Sequence, residues 1–167
     1  MLYSSITPGI IETESGPVSV QDLSTFLYYF RAAYVESLRC KDELQIQDNL
    51  ADLEIDGFTS EVAQRMAVKG YNGISENAKA TLNVEDDLYL TDISRRNPID
   101  VVFSCVGVAL VAAVIISGGE VKWDKDGFRV KLPPLGKGIA ELKKAINGSY
   151  RPRAQDRKKT DDSTPSP

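Results

Sequence analysis

Four carboxylates stand in close pairs, Glu54 with Asp56 and Asp86 with Asp87, and these are the side chains best spaced for acid–base work. Adjacent carboxylates push each other's pKa values apart and so divide acid and base roles. No arrangement of apolar residues around either pair marks a pocket. Histidine is absent. Ser-His-Asp and Cys-His nucleophile arrangements and histidine metal sites are thereby excluded. The two cysteines, Cys40 and Cys105, fall at the end of an expected helix and inside an apolar run. That placement argues against a mutual disulfide and for a reducing compartment.

Three further stretches carry partial signatures. Gly136-Lys137-Gly138 resembles the end of a phosphate loop, but Lys131 stands where its first glycine belongs and Gly138 replaces the Ser or Thr. Asp124-Lys125-Asp126-Gly127 has the start of a calcium loop without its remaining ligands, and a hairpin turn explains it better. The basic C-terminal stretch is interrupted by Asp156, Asp161 and Asp162 and lacks stacking aromatics, which argues against nucleic acid. The expectation is therefore a non-enzymatic protein, with no catalytic, cofactor-binding or metal-binding residue assigned.

The elements around these residues follow from periodicity and punctuation. The 167 residues suit one domain with appendages, and 42% hydrophobic with 26% charged residues excludes a wholly disordered chain. Charge is split: residues 1–98 hold 8 Lys/Arg against 16 Asp/Glu, and residues 120–167 hold 12 against 7. The start of the chain has neither the basic region nor the long apolar core of a secretory signal, so a bacterial cytoplasm or the cytoplasmic side of its membrane is expected. Residues 1–17 read as an irregular arm. Ser19 caps a helix expected over 20–38, with Leu23, Phe26, Leu27, Phe30 and Tyr34 forming one apolar stripe.

Residues 41–58 fit neither period and read as an extended piece and loop. Thr59 is placed to cap a short helix that Gly70 stops, and 86–94 alternates as a strand. Residues 18–96 thus make an acidic N-terminal domain.

The segment 97–119 has its own boundaries. Asn97 and Pro98 suit a helix start, Gly118 and Gly119 a helix stop, and nothing between 101 and 117 is charged. A helix over 98–117 is about 30 Å long at about 1.5 Å per residue, near the thickness of a bilayer's hydrocarbon core. Apolar on every side, it must be buried on every side, in lipid or between subunits. Residues 120–149 then read as a basic β-hairpin and a short helix, and 150–167 as a disordered tail.

The order of an Asn-Pro-opened apolar segment, Ser117-Gly118-Gly119, a short basic hairpin and "LPPLGKGIAELKKAI" resembles small uncharacterised bacterial proteins that carry one hydrophobic segment. The resemblance covers residues 94–146. It implies membrane association and transfers no activity and no functional residue.

The expected fold is α+β: an N-terminal amphipathic helix, a short helical middle, a strand leading into a long hydrophobic helix, then a β-hairpin and a short C-terminal helix. The expected function is that of a membrane-associated accessory or effector protein with a partner-binding N-terminal region. The alternative is a soluble oligomerising scaffold or adaptor that buries the hydrophobic helix between subunits. Val106, Gly107, Leu110, Ala113, Val114 and Trp123 would form the membrane or oligomer interface, and Lys122, Arg129 and Lys131 would contact anionic lipid. The partners are membrane lipid or a homo-oligomer, and an unidentified protein.

Overall fold

The computed structural model describes residues 9–12, 19–47, 54–95, 99–104, 107–124 and 127–152, with the backbone alone for strand residues 9–12, 90–95, 99–104, 123–124 and 127–129. In chain order the elements are β1 (Gly9–Glu12), α1 (Val20–Glu43), α2 (Ile55–Lys79), β2 (Tyr89–Arg95), β3 (Ile99–Ser104), α3 (Gly107–Ile116), β4 (Glu120–Asp124), β5 (Gly127–Lys131) and α4 (Leu135–Ile146).

The core is built around α3. Val108 through Val114 and Ile116 are fully buried. Helices α1, α2 and α4 and strands β4 and β5 all pack against it. Its backbone ends in two glycines: Gly118, at φ +81°, donates its N–H to Ile115 O, and Gly119 donates to Val114 O. This pair of bonds is the Schellman closure that satisfies a helix's last carbonyls. A side chain at Gly119 would stand 2.7 Å from both Lys131 O and Val114 Cγ1, so the chain turns there only without one.

The long hydrophobic helix expected over 98–117 does not exist, and this overturns the expected architecture. Ile99–Ser104 forms strand β3, and the helix begins only at Gly107. An unbroken apolar run is ambiguous, because a strand inside a sheet and a helix inside a core both lack a polar face. At about 1.5 Å per residue the ten residues of α3 span about 15 Å, half of what a bilayer requires. Among the described residues no helix is long and apolar enough to cross a membrane.

The sheet is five-stranded, in the order β2-β3-β1-β5-β4. Strand β1 pairs antiparallel with β3 and parallel with β5. The expected arm of residues 1–17 therefore contains the sheet's central strand. The basic β-hairpin expected after residue 120 is also corrected. Strands β4 and β5 pair antiparallel, but β5 pairs in addition with β1, so the two form one flank of the larger sheet. Val121 and Val130, opposite each other in that register, are buried on the helical core.

Helix α1 starts where Ser19 Oγ accepts from the Asp22 N–H and runs five residues past its expected end. Phe26, Phe30 and Tyr34 form the buried stripe, but from Ala32 to Leu38 every residue is buried, so the second half is enclosed rather than amphipathic. Helix α2 begins at Ile55, earlier than Thr59, and passes Gly70 instead of stopping there. Gly70 takes φ +60° and ψ −168°, a conformation essentially restricted to glycine, and the helix resumes beyond it. Both helices differ from the sequence reading because tertiary packing overrides local punctuation.

Candidate functional site

Helix α2 presents Ser60, Gln64, Ala67 and Val68 along one side, at the spacing of successive turns. The end of α4 lies beside them. There Gly148, at φ +75°, donates to Ala145 O and Ser149 donates to Lys144 O, closing the helix with a second Schellman turn. The chain then runs through Tyr150 to Pro152. Between these segments lies an open groove of about 520 Å³ with Ala63 and Ile146 in its floor and Ser60, Gln64, Asn147 and Gly148 among its walls. Among the described residues no charged side chain lines it.

Apolar surface extends beyond the groove. Val68 is 83% exposed and Tyr71, one turn on, is 46% exposed. The Tyr71 ring packs edge-on to Tyr29 at 6.5 Å, and Tyr28 packs edge-on to Tyr29 at 5.4 Å. Lys143 Nζ lies 6.0 Å from the centre of the Tyr29 ring. Burial first, and then the neighbouring Tyr71 and Tyr28, push the Tyr29 hydroxyl above its ordinary pKa. These rings present amphipathic surface, of a composition enriched in binding hot spots.

A second, polar cleft of about 360 Å³ opens on the other side of α2 and shares Gln64 and Val68 with the groove. Its charges are already paired. Arg65 bridges Glu61, at 2.9 Å, and Glu43. Glu36, almost fully buried, accepts from Lys69 Nζ at 2.5 Å and from Asn77 Nδ2 at 2.6 Å, and Asn77 Oδ1 accepts from Arg39 at 2.5 Å. A buried carboxylate so satisfied ties α1 to the far half of α2, beyond the Gly70 kink. Cys40 lies beside this cluster with its thiol free, and burial pushes it up to about 11 against the weaker pull of Arg65. A thiol at that value is protonated at neutral pH and is a poor nucleophile.

The paired carboxylates singled out in the sequence do not converge. Glu54 is exposed at the start of α2, and the Asp56 carbonyl accepts from the Thr59 and Ser60 hydroxyls. Asp87 is held by Arg31, and the Asp86 carbonyl accepts from Tyr34. These residues secure the ends of α2 and the turn that follows it. Among the described residues no three His, Cys, Asp or Glu side chains group to hold a metal ion.

The residues expected at a membrane or subunit interface lie elsewhere. Leu110, Ala113 and Val114 are fully buried within this single chain and have no surface to offer lipid or a second copy. Gly107, at the start of α3, is half-buried, and Trp123 lies on β4 opposite Phe128 in the register. Val106 and Cys105 fall outside the described residues. Of the residues assigned to anionic lipid, Lys122 and Lys131 are exposed, and Arg129 is placed opposite Lys122 in the register. The groove was not assigned from the sequence, although one of its residues gives a signal: Val68 is a large apolar residue beside Lys69 and Gly70 and is left exposed.

Comparison with protein families, with curated proteins and with solved structures found no match to this chain.

Proposed function

We propose that this protein is a non-enzymatic adaptor whose groove between α2 and α4 receives a segment of a partner polypeptide. The observation that carries this reading is the groove itself: an apolar floor lined by no charged side chain among the described residues, with exposed Val68 at its edge. A monomer has no reason to leave such surface together in one place, and apolar grooves beside helices are a recurring seat for amphipathic helices. From Ser60 to Val68 the stripe runs about 12 Å at about 1.5 Å per residue, enough for two turns of a bound helix.

Charge selects the occupant. Helix α4 and the residues after it expose Lys137, Lys143, Lys144 and Arg151, of which Lys144 pairs with Glu141. A segment with apolar anchors on one face and carboxylates on the flank beside α4 is complementary. Membrane contact through the apolar segment, and oligomerisation through it, were the two modes expected from the sequence; the burial of residues 108–116 within the chain favours a binding surface outside α3. The adaptor reading keeps the partner-binding N-terminal region, because α2 supplies one whole wall of the groove. It serves equally at the cytoplasmic face of a membrane or in the cytoplasm.

Selection of displayed random twelve-residue peptides on the intact protein tests the reading. Enriched peptides should carry apolar residues at i, i+3 or i+4, and i+7, with acidic flanks, and should lose binding to the Val68→Glu and Tyr71→Glu variants. Absence of enrichment, or peptides that bind wild type and both variants alike, would overturn it.

A further inference from the structure

We propose that the cleft between β3 and β5 is a strand-acceptor site, and that Gly9–Glu12 of a second copy of this chain fills it in exchange for the chain's own β1. Topology carries the inference. Strands β2 and β3 form one antiparallel pair, and β4 and β5 form another. Strand β1 alone joins them into one sheet. It reaches that place from far off in sequence, with Gly9 opposite Phe103 and Ile11 opposite Val130.

The grip on β1 is slight. It has four residues, all paired with β3, but only Ile11 and Glu12 pair with β5, and that pairing is parallel, the weaker kind. Among the described residues no helix packs on β1, β2 or β3, whereas β4 and β5 are anchored on α3. Apart from the chain connections at its two ends, the β2–β3 pair is therefore attached to the helical body through backbone hydrogen bonds to a four-residue strand. An isolated two-stranded pair is marginal in water, so this wing opens at far lower cost than the core.

Opening leaves two unpaired edges, one on β3 and one on β5, and an unpaired edge recruits a strand. The segment that restores every hydrogen bond in the same register is Gly9–Glu12 of another copy, joined to its own α1 through residues 13–19. Exchange preserves all pairings, so concentration and the reach of that connection set the balance between closed monomer and exchanged dimer. Recognition is by main chain, as in strand addition generally.

Cysteine pairs read the exchange directly. In a full-length background with Cys40→Ala and Cys105→Ala, one preparation carries Ile11→Cys and a second carries Val101→Cys, residues opposite each other in the register. A parallel experiment uses Ile10→Cys with Val102→Cys, because one of two adjacent antiparallel pairs is the close, non-hydrogen-bonded type, with Cα atoms about 4.5 Å apart and within disulfide reach. When the two single variants are mixed, only strand exchange places the cysteines together.

Mild oxidation of a concentrated mixture should give disulfide-linked heterodimer in several-fold excess over the out-of-register mixture of Ile11→Cys with Ser104→Cys. Circular dichroism of each variant confirms that it is folded. As a companion, both cysteines are placed in one chain. If that double variant closes internally while the mixture gives no more heterodimer than the out-of-register control, β1 is fixed in its own sheet and the proposal is overturned. If neither closes, β1 does not occupy the slot and the proposal is likewise overturned. The outcome is independent of the α2–α4 groove, so either proposal can fail alone.

Discussion

Arg31 on α1 and Asp87 beyond the end of α2 are joined by two hydrogen bonds, at 2.9 and 3.1 Å, from one guanidinium nitrogen to both carboxylate oxygens. The same guanidinium donates to the carbonyls of Ala78 at 2.6 Å and Ala80 at 2.9 Å. The last carbonyls of a helix have no partner of their own, and here a side chain from a neighbouring helix supplies one. Arg31 thereby fixes α2 at its end and aims the chain toward β2. Lysine cannot replace it, because only the planar fork reaches two carbonyls and a carboxylate together.

Arg31→Met should lower stability by about 2 kcal/mol, within the range for hydrogen bonds to charged groups in a site that is only partly exposed. Arg31→Lys should recover less than half of that. Urea unfolding measures both. Hydrogen exchange should quicken between residues 77 and 88 while leaving α3 protected; uniform quickening would show that Arg31 supports the whole core instead.

Helix α1 ends on a residue that strains its cap. Gln45 sits at φ +53°, the one non-glycine residue at positive φ among those described, donating to Asp42 O while Ile46 donates to Lys41 O. A left-handed residue with a Cβ costs about 1–2 kcal/mol, and glycine avoids that at an entropic cost of about 0.5–1 kcal/mol. Gln45 is exposed, so nothing else is lost. Gln45→Gly should raise stability by roughly 0.5–1 kcal/mol, measured as a higher urea midpoint at unchanged slope. No gain would mean that the turn after α1 is not held in this conformation in solution.

The sequence made α1, the alternation in β2 and the close of α3 readable, because each is marked within a few residues. Ser19 as cap and Gly118 with Gly119 as stop are local signals. What decides the segment from Ile99 to Ile116 is not local. Ile99, Val101, Val102 and Phe103 have the branched and aromatic character of a strand, but the strand exists because Gly9–Glu12 pairs with it from far away in the chain. Gly70 misleads for a similar reason. Its φ would end an isolated helix, yet Asn77 and Ala78 beyond it are held by Glu36, Arg39 and Arg31 on α1. The groove was half legible: Val68 stands out on α2, but Ile146, Tyr150 and Pro152 reach it only through packing of α4.

Leu110 distinguishes an enclosed helix from a membrane-facing one. It is fully buried in a core shared by α1, α2 and α4. Leu110→Ala should cost about 2–5 kcal/mol, a transfer term plus a cavity, while leaving the chain folded and its partitioning into liposomes unchanged. Leu110→Arg would bury a charge with no partner and should unfold the protein, a loss visible by circular dichroism. A folded Leu110→Arg protein altered only in lipid binding would contradict the enclosure of α3.

Alkaline pH supplies a last test, through Cys40. Its thiol lies at about 11 in the folded protein, raised first by burial and further by Glu61, Glu36 and Glu43, with Arg65 opposing. An unfolded cysteine titrates at about 8.5. Below that value both states are protonated and the contribution of Cys40 to stability is complete. Above it the unfolded chain sheds the proton first, so this contribution falls as pH rises toward 11. Tyr29, also raised by burial, acts in the same direction. Stability measured by urea unfolding should therefore decline more steeply between pH 9 and 11 in wild type than in Cys40→Ala. In a Cys105→Ala background, native protein at pH 8 should react with a thiol reagent only at its rate of opening, and the reaction should become fast in urea. Equal slopes for wild type and Cys40→Ala, together with rapid native labelling of Cys40, would place this thiol at the surface and contradict the packing of α1 against α2.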